Sequence, residues 1–293
     1  MAKIGKPFQY GGQAVIEGVM MLGARGSAIA VRKSSHEIVL KESTRVPLRE
    51  RFPILKWPLV RGCVSLIESL AIGMQAITWS ASQAGESEEE QLKPWELVLT
   101  VVVAVGLGIG LFIVVPVFLA SFSLPYIGQF GRSALEGLIR IGIFLSYIIA
   151  ISRMKDIQRI FAYHGAEHKT ILTFESGEEL TPENAMKHST IHPRCGTSFV
   201  LVVMLLMIFV FTFVGRTDVF LRILIKIAMM PIVAGLAYEL IRFAGRNPQI
   251  RLVQALVAPG LWLQRLTTRE PDKEQLEVAI TALKAVLPKE QVL

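Results

Sequence analysis

Residues 97–131 read LVLTVVVAVGLGIGLFIVVPVFLASFSLPYIGQFG, a run without one charged side chain. An α-helix rises 1.5 Å per residue, so about 20 apolar residues cross the ~30 Å hydrocarbon core of a bilayer. Residues 97–118 supply that length, and Pro116 and Pro125 mark its end. Composition agrees. Hydrophobic residues make up 52% of the chain and charged residues 19%, against roughly 25% charged in soluble proteins. Mean hydropathy is +0.49. Working outward, three further apolar segments are read as spans, 133–151, 196–214 and 219–241. The fold class is mainly α: a polytopic membrane protein with about four transmembrane helices and a small mixed α/β cytoplasmic domain.

The chain carries a net charge of +7. Its basic residues flank apolar segments, which assigns them to membrane orientation rather than to nucleic acid. Residues 1–96 hold twelve Lys and Arg, 152–195 six and 243–293 seven, whereas the short loops 120–132 and 215–218 hold one each, Arg132 and Arg216. The positive-inside rule then places both termini and the 152–195 loop in the cytoplasm, with the protein in the cell (inner) membrane. The expected partners are the lipid bilayer and other membrane proteins or further copies of the chain, with no nucleic acid. The two cysteines, Cys63 and Cys195, make no disulfide framework and fit a reducing face. The first twenty residues lack the uninterrupted apolar core of a cleaved signal peptide.

Taken in order, the segments are these. Residues 1–60 are a cytoplasmic segment containing strands, with 28–32 and 37–41 joined by a turn holding His36. Glu17 is the lone carboxylate of the stretch 9–24; it is read as a strand residue facing water, or as a group reaching the histidine site described below. Residues 61–95 hold an amphipathic helix lying in the membrane interface, or buried against other helices, and then the acidic linker 86–90. Residues 96–152 and 196–243 are transmembrane hairpins on either side of the loop 153–195. Residues 244–293 hold a segment, 250–266, broken at Pro259-Gly260 and read as interfacial, and an amphipathic helix capped by Asp272-x-x-Gln275.

Five charges fall inside the spans, Glu136, Arg140, Arg222, Lys226 and, at the very end of the fourth, Glu239. An arginine at mid-bilayer costs roughly 2.5–3.5 kcal/mol on insertion scales. Glu136 is the one carboxylate at the depth of Arg140, Arg222 and Lys226, so it is predicted to pair with one of them. The competing reading has the long side chains snorkel outward.

The candidate chemistry lies between the hairpins. Four of the five histidines fall within 164–192. His164 and His168 sit one helical turn apart on one face and can share an ion. With Glu167 they form His-x-x-Glu-His, the reverse of the zinc-peptidase order. His192-x-x-Cys195 offers a third and a fourth ligand, and imidazole and thiolate suit tetrahedral Zn²⁺ or another divalent metal. Gly165 weakens the helix locally by up to about 1 kcal/mol. A short helix over 185–189, started by Thr181-Pro182-Glu183, would deliver His188 and His192. His188 is read as surface. Glu175 is either a distal ligand or solvated.

Three blocks carry a family likeness: Gly11-Gly12-Gln13-Ala14-Val15-Ile16-Glu17-Gly18-Val19-Met20-Met21, His164-Gly165-Ala166-Glu167-His168-Lys169-Thr170, and His192-Pro193-Arg194-Cys195-Gly196-Thr197-Ser198-Phe199. A fourth is Thr267-Thr268-Arg269-Glu270-Pro271. Together they resemble the YqhQ-like family, domain-of-unknown-function family 1385. The resemblance implies a multi-pass membrane protein and a metal-dependent enzyme, with no substrate attached.

Three functions follow from these readings. One is a membrane metal hydrolase in which His164, His168 and His192 or Cys195 hold Zn²⁺ and Glu167 is the general base. Its substrate would be a lipid-borne ester, a phosphoester or a peptide near the membrane surface. The second is a scaffold or assembly factor whose metal shell is closed by all four ligands. The third is an oligomeric transporter or channel built on the charges within the spans.

Overall fold

A computed structural model describes residues 10–24, 26–44, 48, 52–85, 94–122, 127–214, 218–247 and 249–288. The acidic run 86–90 and Arg216 lie outside these residues.

Four antiparallel strands, paired in sequence order, open the described chain: β1 Gly11–Val15, β2 Gly18–Leu22, β3 Gly26–Arg32 and β4 Ile38–Thr44. Val15 pairs with Gly18, so Glu17 is not in a strand but in the hairpin turn, at φ 51°. Alternation sends Val19, Met21 and Ala30 to one face of the sheet and Val15, Met20, Ile29 and Val31 to the other. Both faces are covered, which is why these strands read as apolar runs rather than as alternating ones.

The helices are α1 Val60–Ala84, α2 Pro94–Ile109 with a widened turn over Gly110–Val114, α3 Val115–Ser121, α4 Gln129–Ile151, α5 Lys155–Glu175, α6 Pro182–Ala185, α7 Thr197–Thr212, α8 Val219–Arg246, α9 Arg251–Thr267 and α10 Lys273–Val286. On one sheet face, Tyr163, Ala166 and Ile171 of α5 and Leu276, Ala279 and Leu283 of α10 complete a core. The α10 cap forms as its sequence predicts. Asp272 Oδ1 accepts from the Gln275 amide at 2.8 Å, and Gln275 Oε1 accepts from the Asp272 amide at 3.1 Å. On the other face Ala76 of α1 is buried, and Ser80 Oγ accepts from the Ile16 amide at 3.2 Å.

Among the described residues, the helices long and apolar enough to cross a membrane are Val60–Ala84, Val98–Ser121, Gln129–Ile151 and Val219–Ala244. This set differs from the sequence reading at two places. The helix expected to lie in the interface, α1, has the length and composition of a span. Its first half packs on α8, where Gly62 meets Gly235 and Arg61 Nε donates to Glu239 at 2.6 Å. Its second half lies on the sheet. The expected span 196–214 is the shorter α7, whose 16 residues reach about 24 Å. It packs between α4, α8 and α9 through Leu201, Met204, Met207 and Phe211. Helix α9 runs unbroken through Pro259, because Leu263 and Leu266 keep its apolar face on α4 and α7.

The intramembrane charges gather at one end of the bundle. Glu136 contacts all three predicted cations: Arg140 at 3.0 Å, Arg222 at 3.2 Å, and Lys226. Proline chemistry explains a further contact. Pro116 has no amide hydrogen, so the Phe112 carbonyl four residues earlier lacks a helical donor. Arg140 Nε fills that place at 2.6 Å.

Two stability changes follow. Glu136→Gln strips the only carboxylate from this group and is expected to destabilise the protein by about 3–5 kcal/mol, read as a lowered Tm and yield in detergent; an unchanged Tm would contradict the buried pairing. Gly62→Val forces α1 from α8 and is expected to cost about 1–3 kcal/mol, whereas Gly142→Ala, whose new Cβ meets nothing within 4 Å, does not lower Tm.

Candidate metal centre

Helix α4 ends at Ile151, and Met154 is extended at φ −75° and ψ 133°. The chain therefore turns before α5 instead of continuing as one long helix. That turn brings His164 beside the start of α7 and the end of α9.

Each imidazole is aimed by a backbone carbonyl. His164 Nδ1 lies 2.8 Å from Thr267 O, and His168 Nδ1 lies 2.5 Å from Thr190 O. A carbonyl only accepts, so both Nδ1 atoms carry the proton and both Nε2 atoms present a lone pair. His164 Nε2 lies 3.2 Å from Cys195 Sγ. The ligand atoms of His164, His168 and Cys195 all lie within 4.8 Å of one another. The edges of a tetrahedron of imidazole and thiolate donors around Zn²⁺ are roughly 3.5 Å. The donor types, their convergence and the carbonyl partners of both rings therefore fit such an ion.

His192, the fourth predicted ligand, is not in this set. Its backbone is held by Gln264, whose Oε1 accepts from the His192 amide at 2.8 Å and whose Nε2 donates to the His192 carbonyl at 2.9 Å. Its ring centre is 5.5 Å from that of His168, and its Nε2 is 3.8 Å from Glu175 Oε2. Burial, with Arg194 and His168 adding to it, pushes its pKa down to about 3, so the ring is neutral. Helix α6 ends at Ala185, and residues 186–196 form a loop rather than the short helix read from sequence. Glu175 pairs with Arg194. His188 faces Glu178 at 3.3 Å. Glu17 reaches Arg159 and Tyr163 of α5, not the histidines.

Glu167 is buried beside the set, its Oε2 3.9 Å from His168 Nε2. Burial raises its pKa, opposed by His164 and by a hydrogen bond from the Gly12 amide. Gly12 leaves room for it: a Cβ there would stand 3.0 Å from Glu167 Cγ. Gly165 is explained by a contact a hundred residues away. A Cβ at that position would collide with the Arg269 carbonyl, in the connector whose amide donates to Phe161 O at 2.9 Å.

Several supporting residues were given no role by the sequence, although Lys169 and Thr267 stand inside the blocks that carry the family likeness. Lys169 is buried and donates to the Met186 carbonyl at 3.1 Å and the His188 carbonyl at 2.7 Å, and its Nζ is 2.9 Å from Glu270. It ties the 186–196 loop to α5. Gln264, Thr190 and Thr267 act equally from a distance.

The DUF1385 family model, described as a protein of unknown function, matches residues 57–289. A Bacillus subtilis (strain 168) protein described as "Uncharacterized protein YqhQ" is 34% identical over 301 residues, covering 98% of this chain and 95% of that protein. No solved structure matches.

The buried carboxyl has a pH signature. With its pKa raised by burial above the ordinary 4.5, the folded chain keeps a proton that the unfolded chain releases, so its stability falls as pH rises beyond that value. In metal-free protein held in chelator, Glu167→Gln is therefore expected to raise Tm at pH 7–8. The gain should shrink as pH falls toward 4.5, and an equal gain at every pH would rule out a titrating carboxyl.

Proposed function

The chain belongs to the DUF1385 family, and from that premise we propose that it is a membrane protein holding a divalent metal, zinc by donor chemistry, and acting as a metal-dependent hydrolase. The observation that carries this reading is the convergence of His164, His168 and Cys195 ligand atoms within 4.8 Å. His164, His168 and Cys195 would hold the metal, and three protein ligands is the number found in catalytic rather than structural zinc sites. A bound Zn²⁺ supplies a Lewis acid that polarises a carbonyl or phosphoryl oxygen and acidifies water to near neutral pH.

The protein's own residues supply the rest. His164 and His168 would hold the metal through Nε2, the nitrogen left free by the contacts of Nδ1 with Thr267 and Thr190. Cys195 binds as thiolate. Glu167 accepts a proton at its carboxylate, and burial, by raising its pKa, makes that carboxylate a stronger base than an exposed one. Its substrate is a lipid-borne ester, a phosphoester or a peptide at the membrane surface, since Cys195 lies only two residues before α7. The lysine and arginine distribution supports a cytoplasmic position for this face.

A second reading has one specific support. His192 is buried and 5.5 Å, ring to ring, from His168. A rotation that brought it in would close the shell and make the metal a staple between the loop and α7.

Metal analysis decides between them. Purified protein is expected to carry about one zinc per chain, reduced in His164→Ala and in Cys195→Ser; full occupancy in those variants removes the site. Glu167→Gln is expected to keep the metal and to lower turnover of an ester, phosphoester and peptide panel by about 10²–10⁴-fold. A cobalt-substituted spectrum that changes in His192→Ala would instead mark the closed shell.

A further inference from the structure

The charge group at the opposite end of α4 and α7 holds more positive charge than its own residues neutralise. Arg132, Arg140, Arg222 and Lys226 surround a single carboxylate, Glu136, and all five are no more than 3% exposed. Arg140 is engaged by Glu136 and the Phe112 carbonyl. Lys226 contacts Glu136 and lies 4.7 Å over the Phe211 ring. Arg222 uses Nε on Glu136 and donates from Nη2 to Ser133 Oγ at 3.0 Å. Its Nη1 has no acceptor among the described residues, and neither do Nε and Nη2 of Arg132. Arg132 stands one turn before Glu136 on the same face of α4 and directly before Ser133, and Arg222 bonds both Glu136 and Ser133, so the unsatisfied donors belong to one neighbourhood. Asp218, an acid near Arg222 in sequence, accepts from the Leu221 amide at 2.9 Å as the cap of α8.

We propose that this group is a binding site for a phosphate-class oxyanion, held by the free donors of Arg132 and Arg222. Buried polar atoms without partners mark a missing ion or water. A water would satisfy the N–H groups but leave the surplus positive charge buried without a counter-ion, which is strongly unfavourable. Guanidinium forks fit the oxygens of a tetrahedral oxyanion with paired, charge-assisted hydrogen bonds. Depth narrows the source. Arg132 and Arg222 each sit three residues after the first residue of α4 and α8, about 5 Å along the axis, where apolar core gives way to headgroups. The phosphate of an anionic lipid and free inorganic phosphate present the same oxygens there. This site is independent of the metal centre.

The test is ligand-dependent melting of the purified full chain. One arm adds sodium phosphate against chloride of equal ionic strength. The other compares nanodiscs of phosphatidylglycerol with nanodiscs of phosphatidylcholine. A Tm rise with phosphate identifies the free anion, and a rise confined to phosphatidylglycerol identifies the lipid; either supports the site. Arg132→Met and Arg132→Lys are expected to weaken the responding arm about tenfold or more. Arg132→Met should also melt higher than wild type in phosphatidylcholine with chloride alone, because it removes an unpaired buried charge. No rise for wild type in either arm overturns the proposal, whether or not the variants fold. A rise undiminished in both variants overturns it too.

Discussion

A buried backbone carbonyl without a helical donor must find a donor elsewhere, and in this protein the donors are the side chains with chemical reach. His164 and His168 serve Thr267 and Thr190. Lys169 serves Met186 and His188. Gln264 serves His192, and Arg140 serves Phe112. Ser133 and Gln129 serve the last turns of α7 at Phe211 and Val214. Each such bond fixes a side chain whose remaining polar atoms are then presented in a set direction. Both the imidazole pair and the cationic group are consequences of that constraint.

What could be read from the chain alone was whatever depends on local spacing. The uncharged run, the one-turn separation of the two histidines, the Asp272 cap and the solitary carboxylate among intramembrane cations all have short-range signatures. The rest depended on distant partners. His192 follows the ligand spacing yet turns away because Gln264, 72 residues on, grips its backbone. Gly165 looked like a weakness in a helix until the Arg269 carbonyl is seen against it. Helix α1 read as interfacial because Ser65, Glu68, Ser69 and Gln75 stand off its apolar face and basic residues precede it. The residues that α8 and the sheet cover are instead the small Gly62, Ala76 and Ser80, and Ile67 and Leu70 of the apolar face stay exposed at 64% and 60%.

The two polar sites occupy opposite ends of the same helices. Glu136 lies two turns into α4 and Arg140 at its midpoint, and the far end of α4 leads into α5. Phe211 closes α7, whose first turn follows Cys195. Between the two sites α7 packs against α4 through Ile148, Leu201 and Met204.

The sheet lies at the front of the described chain, and α10, which seals its face of Val19, Met21 and Ala30, lies at the back. Every helix of the bundle is made by the ribosome between them. At 5–20 residues per second the hairpins wait on the order of tens of seconds with an apolar face uncovered. Thr267, the carbonyl that aims His164, is equally late. Biogenesis therefore has a sequence: insertion of the bundle precedes closure of the domain, and the imidazole pair is not aligned until the last segments emerge. A nascent chain stalled before α10 would leave the Val19, Met21 and Ala30 face of the sheet only partly covered, by α5 alone.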